Sequence, residues 1–200
     1  MYNYLKIYQQ YRKDLILQIQ KIKNDELIKI VEAIYNCYMN DKGIYIVGNG
    51  GSAATASHLA CDLAKIADKF GKGLRAICLN DSSAILTAIA NDIDYKMIFS
   101  DQMSRVSQGG DILIVLTASG NSSNIIEAVK FAQENNIYSI GLLGFDGGEV
   151  LEKLDNYILI DNYNYGVVED VHLSICHMIS LMLKCYFVNS KGNTFALSLT

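Results

Sequence analysis

Histidine is scarce in this chain, three in 200 residues, and two of the three stand at helical spacing from a carboxylate. In the stretch IVGNGGSAATASHLACDLAK, which begins at position 46, His58 and Asp62 are four apart and so share one face of a helix. Toward the other end Glu169 and His177 are eight apart; at about 100° per residue they lie about 80° apart on the wheel, still one broad face. Asp170 and His172 fall elsewhere on that wheel. Imidazole beside carboxylate is the pairing of general acid–base chemistry and equally a donor set for a divalent metal. A solvated polar face or a satisfied core histidine would show the same spacing, and spacing alone does not bring the two segments together.

Two other stretches suit an anion. VGNGGS, with Asn49, Gly50, Gly51 and Ser52, follows an apolar run and opens a helical pattern, where unpaired backbone N–H groups and the helix dipole favour negative charge. It meets the dinucleotide-binding pattern G-x-G-x-x-G only in the form that accepts alanine last, here Ala53, and no lysine follows to make a P-loop. LTASGNSSN, residues 116–124, is a second such corner: Thr117, Ser119 and Ser122 offer hydroxyls and Gly120 permits a tight turn. Two serine-and-glycine corners suit a small phosphate held without arginine. The alternative is that Ser52 and Ser122 are plain helix caps.

The elements that must position these groups follow from periodicity. GIYIVG, LRAICL, ILIVLT, YSIGLL and YILID read as buried parallel strands, and residues 52–66, 82–90, 95–106 and 121–136 between them read as helices. The rhythm predicts an α/β fold, a doubly wound parallel sheet of about five strands with right-handed crossovers, closed by a long helix over about 167–188. The first forty residues predict a helix pair broken near Asn24 and Asp25. One stripe carries Tyr4, Ile7, Tyr8, Tyr11, Leu15 and Ile19; the other carries Leu27, Ile30, Val31, Ile34 and Tyr38. The aromatic stripe suits an oligomer surface or packing on the chain's own sheet. No proline interrupts the chain, and the end, SKGNTFALSLT, loses periodicity.

Composition narrows the class. Half the residues are hydrophobic and the net charge is −4, so bulk attraction to nucleic acid is excluded as a basis for function. The apolar runs, such as Ile112 to Leu116, are strand-sized and no signal-peptide pattern opens the chain, which together predict a cytoplasmic protein with no membrane span. Five dispersed cysteines without a C-x-x-C pair read as buried free thiols.

From GNGGSAATASH through LNDSSAILTAIANDIDY, SGNSSNIIEA and GFDGG to EDVHLSICH, the chain resembles the SIS-domain sugar isomerases, with their three-layer, flavodoxin-like sheet. Within them it is similar to the phosphoheptose isomerases that interconvert sedoheptulose 7-phosphate and D-glycero-D-manno-heptose 7-phosphate. The resemblance implies a single SIS domain over residues 1–200, with 1–40 a helical pair used in oligomerisation. It implies phosphate and sugar contacts at Asn49, Gly50, Gly51, Ser52, Asn91, Asp92, Thr117, Ser119 and Ser122. An acid–base pair falls on Asp62 and His177, and a zinc-type ligand set on His58, Asp62, Glu169 and His177, one divalent metal per subunit. It further implies homotetramers with sites between subunits, and heptose supply for a bacterial lipopolysaccharide or capsule. Other readings on the same fold are a different phosphosugar isomerase and a non-catalytic relative that binds a protein partner such as a replication initiator.

Three departures from the family pattern matter. The usual glutamate is Asp62, one methylene shorter, a retraction of about 1 Å that costs on the order of a hundredfold in rate if uncompensated. The usual glutamine is Glu169, and a common arginine one turn past Asp62 is Ile66. Two carboxylates and two imidazoles form a more anionic cage than the family's set, so stronger metal dependence is expected.

Overall fold

GIYIVG and ILIVLT are buried along their whole length, as strands covered on both faces must be. In a computed structural model, which describes residues 3–66 and 73–189, they form β1 (Gly43–Gly48) and β3 (Ile112–Thr117). With β2 (Arg75–Cys78), β4 (Tyr138–Gly144) and β5 (Asn156–Ile160) they make one parallel sheet in the order β2-β1-β3-β4-β5. The helices are α1 (Tyr4–Lys21), α2 (Asn24–Met39), α3 (Gly51–Ile66), α4 (Ser83–Asp92), α5 (Ser100–Val106), α6 (Ser123–Glu134) and α7 (Tyr165–Asn189).

Strand alternation divides the interior into two cores. Ile44, Ile46, Ile112, Ile114 and Leu116 pack on one face with the apolar sides of α2, α3 and α7. Tyr45, Val47, Leu113 and Val115 pack on the other with α6 and with Phe99 and Met103. The result is the expected helix–sheet–helix sandwich.

The strand order reverses direction between β1 and β3, and in open parallel sheets the crevice at such a point, at the carboxyl ends of the strands, is where ligands bind. β1 pairs directly with β3, with Gly48 opposite Leu116. Both serine-and-glycine corners therefore open side by side into that crevice, although some seventy residues separate them in sequence.

Several local expectations are corrected. β2 is an exposed edge strand rather than a buried one, with Ile77 half exposed; it pairs only with β1. The helix expected over 95–106 breaks into a 3-10 turn, Tyr95–Met97, and α5, and a 3-10 segment at Gly148–Lys153 had no periodic signal. Cys37, Cys78 and Cys176 are buried as expected, whereas Cys61 is exposed and Cys185 intermediate. The terminal SKGNTFALSLT lies outside the described residues.

The aromatic stripe of α1 divides. Tyr11, Leu15 and Ile19 pack on the chain's own core, while Tyr4, Ile7 and Tyr8 are exposed. Tyr11 donates from its hydroxyl to Asp170 Oδ2 at 2.5 Å, and Gln18 donates to the Asp161 carbonyl at 2.9 Å, so α1 is tied to the start of α7. That carboxylate raises the Tyr11 pKa to about 12, chiefly through the hydrogen bond. By length and composition α7 is apolar enough to cross a membrane, with mean hydropathy 1.5. In the fold its apolar side is core: Val167, Val168, Val171, Ile175, Ile179 and Leu183 are all buried.

His172 is buried on that same side of α7, and among the described residues neither ring nitrogen meets a partner in hydrogen-bonding geometry. Burial lowers its pKa from 6.5 to about 4, against a smaller opposing pull from the Leu143 backbone. The unfolded chain therefore takes up this proton near pH 6.5 and the folded chain only near pH 4, so stability is whole above pH 6.5 and falls as pH drops through that window. The loss amounts to roughly 3 kcal/mol once the window is crossed. Denaturant unfolding of His172→Leu between pH 7 and 4 is expected to show a correspondingly shallower acid dependence; an unchanged slope would contradict it.

Candidate active site

α3 and α7 pack side by side, and their polar edges meet at two levels. At the first level the Glu169 carboxylate lies against Gly51, so close that a Cβ there would overlap Oε2 and would stand 2.6 Å from Oε1. Glycine at 51 is what lets this carboxylate reach the start of α3. Two turns on, His58 Nε2 and His177 Nε2 are 3.0 Å apart, with ring centroids 5.0 Å apart and planes inclined at 60°. Asp62 Oδ2 stands 3.4 Å from His58 Nε2. The rise of seven or eight helical residues separates the two levels by about 10–12 Å.

His58, Asp62 and His177 thus converge from segments 115 residues apart, and one ligand atom from each lies within 4.8 Å of the others. Both ring nitrogens face the same point, a neutral pair sharing one proton or two donors for a cation. Around a tetrahedral zinc with ligands at about 2.05 Å, donor atoms lie about 3.3 Å apart, close to both observed separations. The residues present therefore fit a divalent cation. Glu169, expected in the same cage, lies outside the three-residue group and faces the serine corners instead.

Those corners enclose a cavity of about 140 Å³, lined by Asn49, Ser52, Thr117, Ser119, Ser122, Tyr165 and Glu169 with Leu116 and Ala118. Ser52 lies within α3, one residue past its start, so it is no cap. Ser122 stands at the N-cap of α6 yet makes no side-chain capping bond, so neither serine is spent on its helix. Thr117 Oγ1 accepts from the Gly120 N–H at 3.1 Å and Ser119 Oγ from the Asn121 N–H at 3.3 Å, which shapes the second corner while leaving both hydroxyl protons to donate. A larger cavity of about 770 Å³ near β2, α4 and α5 is mainly apolar and holds none of the candidate residues.

Gly50 is exposed at a left-handed φ of 57° and does not line the cavity. Asn91 and Asp92 are exposed on the last turn of α4, where the Asn91 amide donates to Asp92 Oδ1 at 2.8 Å; they neither line the serine cavity nor belong to the His58–Asp62–His177 group. Three residues on, the Tyr95 hydroxyl reaches Asn49 Oδ1 at 3.2 Å. The residues that sequence reasoning missed are Tyr95, Asn124 and Tyr165. Tyr165 packs edge-on against Phe145 at 4.8 Å, and Phe145 holds a left-handed φ of 54°, which periodicity cannot foretell.

Comparison with known proteins agrees with this geometry. The SIS domain family model matches residues 7–144. A phosphoheptose isomerase of Neisseria meningitidis is 34% identical over 163 residues, which is 80% of this chain and 83% of that protein. The solved phosphoheptose isomerase of Neisseria gonorrhoeae superposes with a TM-score of 0.82 at 30% identity, covering 89% of this chain and 96% of the other. That of Francisella tularensis gives 0.85 at 25% identity, covering 92% and 99%. The chain belongs to the SIS-domain family and, within it, to the phosphoheptose isomerases.

Proposed function

We propose that the chain interconverts sedoheptulose 7-phosphate and D-glycero-D-manno-heptose 7-phosphate, with the phosphate in the serine cavity and the reacting carbons beside His58, Asp62 and His177. The observation that carries this reading is the pairing of an anion cavity with an imidazole–carboxylate group two helical turns away. An extended seven-carbon chain advances about 1.25 Å per bond, so its phosphate and its reacting end lie roughly 10 Å apart, the same scale as the two levels. A non-catalytic partner-binding role leaves that convergence without a purpose.

Isomerisation requires the opened sugar to lose a proton from one carbon and regain it on the neighbour through an enediol. Asp62 takes that proton and returns it, and His177 exchanges a proton with the adjacent oxygens. Ser52, Thr117, Ser119 and Ser122 donate hydrogen bonds to the phosphate, and Asn49 borders it; sugar contacts at Gly50, Gly51, Asn91 and Asp92 rest on the family resemblance, since none of the four lines the cavity. Zinc is the cation we assign, one per subunit, on His58, Asp62 and His177; Glu169, the fourth ligand that the resemblance implies, stands at the other level against Gly51 and lines the phosphate cavity. When bound, it supplies positive charge for the carbonyl and hydroxyl oxygens. Asp62 then has two competing uses, base and ligand.

Metal content and rate measured on one preparation without a His tag separate these uses. Chelation is expected to remove about one zinc per chain and most of the turnover, with both restored on adding zinc; full activity in metal-free protein would contradict the metal assignment. We further assign a single SIS domain over 1–200, a homotetramer in which the 1–40 helix pair takes part through its exposed Tyr4, Ile7 and Tyr8, and a cytoplasmic location in heptose supply to a surface polysaccharide.

A panel of phosphorylated ketoses tests the substrate. Sedoheptulose 7-phosphate is expected to have the highest kcat/KM; a preference for a five- or six-carbon ketose phosphate would move the protein to a different isomerase, and no turnover of any would favour the partner-binding relatives.

A further inference from the structure

Two side chains outside the residues assigned above converge on Asn49. Asn124, on the first turn of α6, is fully buried. It exchanges both its polar atoms with Asn49: Asn49 Nδ2 donates to Asn124 Oδ1 at 2.9 Å, and Asn124 Nδ2 donates back to Asn49 Oδ1 at 2.8 Å. The Tyr95 hydroxyl donates to the same Asn49 oxygen at 3.2 Å. A carboxamide has two donor hydrogens and two acceptor positions. Among the described residues three of the four on Asn49 are therefore committed, and one Nδ2 hydrogen remains, on a side chain that lines the cavity.

The amide pair also bridges the two corners, since Asn49 follows β1 and Asn124 follows the turn after β3. A buried amide deprived of its partner bears its full desolvation cost, so the reciprocal pair has one favoured arrangement and holds both loops to it. Packing alone gives no reason for it, because a pair of leucines would fill similar volume with no polar group to satisfy.

We propose that Asn124 and Tyr95 are positioning residues of this site: they lock the Asn49 carboxamide so that its one remaining N–H is offered to a substrate oxygen, and they fix the first anion corner against the second. The inference rests on the phosphosugar reading above and extends it to residues that touch no substrate themselves. Asn49 is then an oriented single donor rather than a freely rotating amide.

Steady-state kinetics of the full chain with sedoheptulose 7-phosphate test it, each variant assayed well below its own Tm. Asn124→Leu is expected to raise KM by about tenfold or more with kcat changed less than about threefold, the size of effect seen when the partner that orients a contacting side chain is lost. Tyr95→Phe, on an exposed turn, is expected to raise KM by about twofold to fourfold. The double variant Asn49→Ala/Asn124→Leu is expected to be no worse than Asn49→Ala alone, because the two residues act as one unit. An unchanged KM in Asn124→Leu, whatever happens to Tm, or multiplying effects in the double variant, would overturn the proposal. Where Asn124→Leu does not fold, Asn124→Ser and Tyr95→Phe decide it on the same terms. Wild type without phosphosugar turnover would remove the isomerase reading and this inference with it, whereas an active wild type with indifferent variants removes the inference alone.

Discussion

Asp62→Asn is expected to lower kcat by about a thousandfold while leaving the fold intact, the scale of a lost general acid–base group. Asp62 is about a third exposed, its Oδ2 stands 3.4 Å from His58 Nε2, and a His177 ring nitrogen lies within 4.8 Å of a carboxylate oxygen. An exposed polar contact of this kind contributes little to stability, so Tm should move by no more than about 2 °C. Whatever the substitution removes is therefore chemistry rather than folding. Asp62→Glu sharpens the point: it keeps the carboxylate and lengthens it to the residue common in the family, so it should retain turnover far above that of Asp62→Asn. Zinc content of both variants separates the two uses of this carboxylate. A metal-replete but inactive Asp62→Asn assigns the base; a metal-depleted one assigns the ligand. Turnover retained by Asp62→Asn would remove the residue from the mechanism.

Gly120→Ala should be the most damaging single methyl in the molecule. Gly120 sits in the second corner at a left-handed φ of 65°, and a Cβ there would run into the backbone carbonyl of Gly147, with its carbonyl carbon at 2.6 Å. Neither obstacle can yield by a rotamer change. The contact is how the second corner leans on the GFDGG loop, and the Val150 N–H donating to the Gly120 carbonyl at 3.3 Å is part of the same junction. Strained φ and backbone overlap together are expected to cost at least about 3 kcal/mol, or roughly 10 °C in Tm for a chain of this size. Because Gly120 also donates its N–H to Thr117 Oγ1, whatever fraction folds should bind phosphate poorly. Gly109→Ala is the control: its nearest neighbour is the Asn135 carbonyl at 3.5 Å, and thermal unfolding should hardly register it. Equal Tm shifts for the two variants would contradict the account of the corner.

The sheet was legible in the sequence because its inner strands are covered on both faces. Gly43–Gly48 and Ile112–Thr117 are almost wholly apolar, Tyr45 and the terminal Thr117 being the exceptions, and both strands appear over those residues. β2 reads as buried because LRAICL is mostly apolar, and edge position depends on pairing that the sequence does not display. The break before α5 escaped periodicity since Asp94 caps a single 3-10 turn by accepting from the Lys96 N–H at 2.9 Å, a local bond that leaves the apolar pattern unbroken.

The site divides in the same way. His58 and Asp62 share a helix face by arithmetic, as do Glu169 and His177, but their meeting depends on α3 packing alongside α7, which needs the fold. Glu169 shows the limit most clearly. Its helical position places it on the histidine's side, yet the absence of a side chain at Gly51 gives its carboxylate a resting place at the start of α3. Asn124 was invisible for the opposite reason: an asparagine beside a serine-rich turn looks like turn chemistry, and only the paired register of β1 and β3 brings it to Asn49.

The central claim, that the serine cavity and the His58–Asp62–His177 group form one isomerase site, is tested most directly by proton NMR of the purified, metal-replete protein with sedoheptulose 7-phosphate in heavy water. The account predicts that the ketose signals decline to an equilibrium with an aldose 7-phosphate, with deuterium at C2 in those turnovers in which the proton held by Asp62 exchanges with solvent before its return. A ketose spectrum that stays unchanged under long incubation, with the protein folded and its metal bound, would contradict it.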